Sequence, residues 1–255
     1  ARLDTAITPD STRGGLRAGI AADVLRDAPE DVFDLTAAGI VLPLDDRVAR
    51  DLDTSDLAPA VTRARTGAGG EVGALSLGAA YLAVFYNQAH IEIAGVDVPS
   101  RWDDGWDVAS FELAARRLVV ADEDRVDRFG LSAVPWLARP VLSDAAGAGR
   151  AGSFFTTNGS ASTMHTDAHV RALRRLSAWQ TAQEFELGIQ ERFAAPFNGG
   201  LVSFYIDASD FAPSIRPAVR WGVAPLPAWT GSEAVTEGQE LCLAIHARSR
   251  VPDAA

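Results

Sequence analysis

The hydrophobic and polar positions in the first part of the chain follow strand and helix periods in turn. Residues 2–8 alternate like a half-buried strand, and the Ala-rich stretch 15–26 is typical of a helix. A short apolar run at 31–35 predicts the next strand. Gly39 then predicts a helix end, and Pro43 closes the extended segment after it. This alternation predicts an α/β fold.

The most apolar run of the chain lies at residues 75–86 and is expected to cross the core. Asn87 is expected to cap a helix that ends at Gly95. Asp107 is the expected N-cap of a second, amphipathic helix. The inward face of this second helix is predicted to carry Val108, Phe111, Ala115 and Leu118.

The second half of the chain continues the alternation. Residues 129–133 predict a strand, and Thr166 or Asp167 is expected to start a helix. Within 193–206 a glycine-rich turn leads into a strand, and 221–227 predicts another short strand. The inward face of the predicted helix carries Leu173, Leu176 and Trp179.

Composition and charge exclude several classes of function. No stretch of the 255 residues approaches the roughly 18 apolar residues of a membrane-spanning helix. The net charge of −11 and the pI of about 4.8 disfavour a nucleic-acid partner, which is recognised by clustered positive charge. All 23 basic residues are Arg, so phosphate-loop and Schiff-base lysines are excluded.

Single sulfur-containing residues set two further limits. Cys242 has no partner for an internal disulfide, and its apolar neighbours predict a buried strand position. Met164 is the only methionine, so residue 1 is not a native start. We therefore expect a processed chain or a fragment, with any signal peptide absent from it.

The candidate metal motifs are weak. His165 and His169 are four residues apart with Asp167 between them, but no third ligand is evident, and polar surface histidines are the better interpretation. The acidic run 122–127 resembles a calcium loop, but Asp127 stands where that loop requires glycine. We therefore expect a solvated turn at 122–127 and no metal or other cofactor.

Catalytic motifs are similarly weak, whereas aromatic residues are prominent. The serine-containing stretch 158–162 lacks the second glycine of a nucleophile elbow. Carboxylates are plentiful, but spacing alone singles out no acid–base pair, so a glycoside-processing enzyme stays an alternative. Several of the six tryptophans lie next to turns, where an indole can stack on the apolar face of a sugar.

Seven short motifs occur in the order typical of one family. They are Ala-Pro-Glu-Asp-Val at 28–32, Ala-Gly-Ile-Val-Leu-Pro-Leu-Asp-Asp at 38–46, the segment 70–87, Gly-Val at 95–96, Trp-Asp-Asp-Gly-Trp at 102–106, Phe-Asn-Gly-Gly-Leu-Val-Ser-Phe at 197–204 and the strand at 221–227. Over nearly its whole length the chain thus resembles the extracellular solute-binding proteins of sugar-importing ABC transporters, which include maltodextrin-binding protein.

The resemblance implies a type II periplasmic-binding-protein fold with a ligand cleft between two α/β lobes. Residues 1–80 with 233–255 would form the first lobe and 81–232 the second, with crossing segments near 80–84 and 235–241. Relatives close on ligand like a hinge, and the closed form docks on the transporter.

The implied function is that of the extracytoplasmic substrate-binding component of a bacterial ABC importer. Such a protein would bind a mono- or oligosaccharide without catalysis, as a monomer. Its partners would be the membrane permease subunits. It would reside in the periplasm or be lipid-anchored at the outer face of the cell membrane. A degenerate member of the family that binds no ligand stays a second alternative beside the glycoside-processing enzyme.

The resemblance also suggests ligand-binding residues. Trp136 falls where relatives place a stacking aromatic, and Tyr81 lies beside a crossing position that relatives use for a polar contact. Asp210 replaces a stacking Trp of many relatives, which leaves Phe211 as a candidate stacking residue. Trp179 and Trp221 are expected in the core. The complete set of candidates is Asp34, Tyr81, Trp136, Asp207, Asp210, Phe211 and Gln239.

The chain departs from the family pattern in its first lobe. The family's first strand has no counterpart before Ala1, the stretch 34–37 is shorter than usual, and the chain stops at Ala255. We therefore expect a partial chain in which residues 82–227 form the more stable lobe, because removal of a central strand exposes apolar surface and unpaired edges.

Overall fold

The structure is a computed structural model in which part of the chain is described. The described residues are 23–27, 35–51, 53, 71–99, 101, 105–123, 125–132, 137, 162, 166–182, 186–187, 194–228, 236 and 238–252. Within them strands and helices are mixed, in agreement with the predicted α/β class.

The strands and helices have the following bounds. The described strands are β1 (Val24–Asp27), β2 (Leu75–Asn87), β3 (Val120–Ala121), β4 (Val126–Ser132), β5 (Glu186–Leu187), β6 (Val202–Ala208), β7 (Trp221–Ala224) and β8 (Gly238–Ile245). The described helices are α1 (Asp45–Asp51), α2 (Gln88–Ala94), α3 (Val108–Arg117), α4 (Asp167–Thr181), α5 (Ala195–Asn198) and the 3₁₀ helix η1 (Ser209–Ser214).

The chain divides into two compact units. The first comprises Ala1–Ala80 and Gln239–Ala255, and the second comprises Tyr81–Gly238. The chain passes between the units within β2 and again at the start of β8. The predicted crossing segments, 80–84 and 235–241, include these two positions.

In the first unit, β1 pairs antiparallel with β8, and the strand order is β1-β8-β2. Val41 forms an antiparallel bridge with His246, so the segment before Pro43 is extended as predicted. Cys242 is fully buried in β8, which confirms its predicted place in a buried strand. Among the described residues, one buried apolar cluster of this unit comprises Leu25, Leu35, Val41, Ala74, Cys242 and Ala244.

The sheet of the second unit is mixed. Strand β2 pairs antiparallel with β6 on one side and with β7 on the other. Strand β6 pairs parallel with β4, which also pairs with β5 and β3. The most apolar run of the chain therefore lies inside the sheet.

Aromatic side chains cover both faces of this sheet. Successive residues of a strand point to opposite faces, so Phe204 and Tyr205 of β6 belong to different layers. On one face Phe204 packs against Trp106 and Phe111, and Phe111 contacts Trp179 of α4. The opposite layer consists of Ala83, Phe85, Phe197, Val202, Tyr205, Phe211 and Ile215.

Short polar side chains start the helices at the predicted positions. Asn87 Oδ1 accepts hydrogen bonds from the backbone N–H groups at positions 89 and 90, and Gly95 ends α2 with φ of 58°. Asp107 caps α3, and Thr166 caps α4. These side chains bond N–H groups that have no partner within the helix. The cap predictions are confirmed.

Helix α3 lies unusually close to β4. A Cβ atom added to Gly130 would lie 2.8 Å from the carbonyl carbon of Ala115, and nearer still to its carbonyl oxygen. Only a glycine fits under this turn of the helix. The predicted inward face of α3 is confirmed, because Val108, Phe111, Ala115 and Leu118 are all buried.

Two secondary-structure predictions in the first unit are wrong. The predicted helix over 15–26 does not extend to its last residues, because Val24 begins strand β1. There, pairing with β8 outweighs the local Ala-rich helix signal. The predicted strand over 31–35 fails at Leu35, which belongs to a helical turn that Gly39 ends with φ of 65°.

Two burial predictions in the second unit are also wrong. Leu173 is 43% exposed, because the buried stripe of α4 runs through Ala172, Leu176 and Trp179 and leaves Leu173 at its margin. Trp221 is 38% exposed, because β7 pairs only with β2 among the described strands.

No described helix is long and apolar enough to cross a membrane.

Candidate functional site

Tyr81 is the most exposed aromatic residue of β2. Its side chain is 44% exposed, whereas Ala83 and Phe85, two and four positions later, are buried. Residues at this spacing point to the same face of a strand, so Tyr81 lies on the same face of the sheet as Ala83 and Phe85, at the solvent-exposed edge of the cluster that they form.

Hydrogen bonds from two separate segments hold the backbone beside Tyr81. The Tyr81 N–H donates to Ser209 Oγ at 3.3 Å, and Thr236 Oγ1 donates to the carbonyl oxygen of Leu82 at 2.6 Å. Ser209 lies in η1, directly after β6. These two hydrogen bonds therefore fix the backbone of β2 at Tyr81 and Leu82.

Gly238 provides the space in which the Tyr81 ring lies. A Cβ atom at position 238 would lie 2.7 Å from Cε1 and 3.0 Å from Cδ1 of Tyr81. Carbon atoms do not approach so closely, so one side of the ring rests on the glycine backbone. An ordinary side chain at this position would displace the ring.

Asp207 places a carboxylate on the face of the sheet that carries the Tyr81 ring. It pairs with Ala83 across the β2–β6 ladder, which makes it a diagonal neighbour of Tyr81 on that face. Asp207 is half-buried, and one carboxylate oxygen accepts from the Ala208 N–H at 2.8 Å. We refer to Tyr81, Asp207, Ser209, Thr236 and Gly238 as the Tyr81 site.

Burial and a neighbouring charge both act on Tyr205. Burial, and then the Asp207 carboxylate, raises the pKa of the Tyr205 hydroxyl above its usual range.

The two remaining candidates of this region lie in η1. Asp210 is exposed in the first turn of η1. Phe211 is only 7% exposed, because its ring stacks on Tyr205 at 4.7 Å and meets Phe85 edge-on at 5.0 Å. Most of the Phe211 ring is therefore used in packing, and its role as a stacking residue stays a prediction.

Comparisons with known proteins agree with this architecture. No protein-family model and no curated protein matches the sequence. An ABC substrate-binding protein from Listeria monocytogenes, in complex with cycloalternan, matches with a TM-score of 0.79 and 18% identity over 96% of this chain and 62% of that protein. The fold is that of the ABC substrate-binding proteins.

Two further structures support the assignment of this fold. A solute-binding protein from Thermotoga lettingae, bound with α-D-tagatose, has a TM-score of 0.76 and 16% identity over 96% of this chain and 64% of that one. The GacH receptor of Streptomyces glaucescens was solved unliganded and with acarbose. It matches with a TM-score of 0.73 and 23% identity over 96% of this chain and 62% of that one.

The chain thus spans less than two thirds of the length of these substrate-binding proteins. The family resemblance drawn from the seven motifs is confirmed at the level of the fold.

Several predicted site residues of this substrate-binding fold lie outside the described part. Trp136 and Asp34 are not among the described residues, nor is the Gln239 side chain, although the Gln239 backbone belongs to β8. The residues that sequence reasoning missed are Ser209, Thr236 and Gly238. Their sequence context does not mark these residues as part of a site, because their role depends on contacts with β2, which is distant in the sequence.

Polar groups away from the Tyr81 site are engaged in the fold. His90 Nδ1 lies 3.1 Å from Ser203 Oγ, and burial together with the positive charge of Arg128 lowers the pKa of His90 to about 4. Among the described residues, no group of three or more His, Cys, Asp and Glu side chains could hold a metal ion. In the acidic run, Asp122 Oδ1 accepts a hydrogen bond from the Arg125 N–H, and Asp127 belongs to β4.

Proposed function

We propose that this chain is the extracytoplasmic substrate-binding component of an ABC importer and binds a mono- or oligosaccharide without catalysing its conversion. The fold supports this proposal, and so do the carbohydrates bound to the structural neighbours, which include cycloalternan and α-D-tagatose. Its partners in this role are the membrane permease subunits. The protein acts outside the cytoplasm, in the periplasm or anchored by lipid at the outer face of the membrane.

The observation that carries the proposal is an exposed aromatic ring on the same face of the sheet as a half-buried carboxylate. The Tyr81 ring can stack on the apolar face of a sugar, while Asp207 and exposed Asp210 accept hydrogen bonds from its hydroxyl groups. Ser209 and Thr236 fix the strand that carries the ring, which lowers the entropy lost on binding. A mostly apolar surface with a few placed polar groups is typical of small-molecule sites.

Three further predicted ligand contacts, Asp34, Trp136 and Gln239, have side chains outside the described part of the structure. Trp136 follows the predicted strand 129–133, and ligands of α/β proteins collect at the carboxyl ends of strands. Trp136→Ala is expected to lower sugar affinity and to leave the melting temperature of the ligand-free protein nearly unchanged. A sharply lower melting temperature with unchanged affinity would instead assign Trp136 to the core.

The test is titration calorimetry with maltotriose, mannotriose, acarbose and α-D-tagatose, combined with product analysis of the same mixtures. Wild-type protein is expected to bind at least one of them and to release no product. Tyr81→Ala is expected to weaken that binding by about 1–3 kcal/mol, which is about 5- to 150-fold. Trp221→Ala removes another exposed aromatic side chain of the same unit and serves as the matched control.

Other outcomes would contradict the proposal in distinguishable ways. Product formation that disappears in Asp207→Asn or Asp210→Asn would indicate a glycoside-processing enzyme. Absence of both heat and product across a wider sugar panel would indicate a member of this fold that does not bind carbohydrate. Equal losses of affinity in Tyr81→Ala and Trp221→Ala would show that the Tyr81 site is not the binding surface.

A further inference from the structure

Two tyrosines of β2 rest on glycines of neighbouring segments. The Tyr81 ring lies against Gly238, and the Tyr86 ring lies against Gly222, its partner in the β2–β7 ladder. Neither glycine adopts a positive φ, so alanine is compatible with both backbones. What alanine would change at each position is the space that the tyrosine ring occupies.

The two contacts differ in their surroundings. Tyr86 is half-buried and packs within the sheet, where covering a strand glycine is a structural role. Tyr81 is 44% exposed, so one side of its ring rests on Gly238 while other parts face solvent, on the face of the sheet that carries Asp207. The position of the Tyr81 ring thus determines the shape of the surface that a ligand would meet.

We propose that Gly238 determines the specificity of the Tyr81 site, because its lack of a side chain sets the height and tilt of the tyrosine ring. This inference rests on the proposed carbohydrate-binding function. A sugar that stacks on the ring while it hydrogen-bonds to Asp207 requires a defined distance between the ring and the carboxylate. Gly238 affects this distance because it determines where the ring lies.

The ring, and not the backbone, would move if Gly238 were replaced by alanine. The added methyl group would lie 2.7 Å from Cε1 of Tyr81, so one of the two partners must shift. The backbone on either side of the ring is held by Ser209 and Thr236. The Tyr81 side chain is partly exposed and can rotate away, which would change its separation from Asp207.

The first experiment measures the ring position without any ligand. The chain contains only three tyrosines, so 3-fluorotyrosine labelling should give three ¹⁹F NMR signals, assignable with Tyr→Phe variants. Gly238→Ala is expected to shift the Tyr81 signal and to leave that of Tyr86 in place. Gly222→Ala, the matched control, should do the opposite. An unchanged Tyr81 signal in Gly238→Ala would overturn the inference.

The second experiment measures affinity for whichever of maltotriose, mannotriose, acarbose or α-D-tagatose the wild type binds. Gly238→Ala is expected to lower that affinity at least tenfold or to change the order of preference among the four. The same substitution should have no effect in a Tyr81→Ala background, because the glycine acts through the ring. Gly222→Ala should leave affinity unchanged, which separates a role at the site from a loss of stability.

The outcomes separate this inference from the proposed function. If the wild type binds a sugar and Gly238→Ala moves the Tyr81 signal without changing affinity or preference, only the role of Gly238 is overturned. An equal loss in both backgrounds would also overturn it, since the effect would not pass through Tyr81. If the wild type binds no sugar, the proposed function fails and this inference fails with it.

Discussion

Replacing Gly130 with alanine tests how closely α3 packs on β4. The added Cβ atom would lie 2.8 Å from the carbonyl carbon of Ala115 and closer to its oxygen, whereas ordinary contacts begin near 3.4 Å. Both contacts are backbone atoms, so no side-chain rotation relieves them. The helix would have to lift by about 1 Å, and a gap of that size forfeits up to about half of the dispersion attraction across it.

The side chains that would lift with α3 are fully or nearly fully buried, among them Phe111, Ala115 and Leu118. Overpacking usually costs about 1–3 kcal/mol, and the backbone contact places Gly130→Ala at the upper end, at about 3 kcal/mol. Urea unfolding followed by fluorescence measures the change in the free energy of unfolding.

Gly95→Ala is the matched control for Gly130→Ala. Its φ is 58° and no atom lies within 4 Å of an added Cβ, so it should cost only the left-handed backbone penalty of about 1–2 kcal/mol. A smaller loss of stability in Gly130→Ala than in Gly95→Ala would refute the reasoning, because it would show that α3 does not lie on the glycine.

Three further predictions concern the second unit. In the folded protein His90 stays neutral down to about pH 4, whereas the same histidine in the unfolded chain is protonated near pH 6.5, so stability should fall as the pH drops through this window. His90→Gln should therefore reduce the decrease in melting temperature between pH 7 and 4. Asn87→Ala removes the cap of α2 and should cost about 1 kcal/mol in urea unfolding, whereas Asn87→Asp should retain most of it. Trp179→Ala should lower the free energy of unfolding by about 3–5 kcal/mol because Trp179 is buried, and Trp221→Ala should lower it by less than about 1 kcal/mol because Trp221 is partly exposed. Similar losses in the two variants would contradict this difference in burial.

Local features of the fold could be predicted because they depend on neighbouring residues. The caps at Asn87 and Asp107 bond N–H groups two or three positions later, and Gly95 needs only its own backbone freedom. The inward face of α3 follows from its helical period alone. The local pattern over β1 predicts a helix, because the strand depends on pairing with β8, more than two hundred positions later in the chain.

The Tyr81 site could be predicted only in part. Tyr81 and Asp207 were proposed from the family resemblance, but the groups that position the ring come from elsewhere in the sequence. Ser209 stands 128 positions from Tyr81, and Thr236 stands 154 positions from Leu82, with no shared motif. The exposure of Trp221 was missed for a related reason, since an apolar strand pattern does not show whether that strand lies at the edge of its sheet.

The pairing of β2 has a consequence for the order in which the protein is made. Its partners in the second unit, β6 and β7, are synthesised more than a hundred residues after it. Until then the most apolar segment of the chain has neither of these partners to pair with. Such delayed pairing slows folding and exposes a strand that can aggregate. We expect nascent chains that end before Val202 to need a chaperone to stay in solution, and those that extend past Ala224 to close the sheet of the second unit.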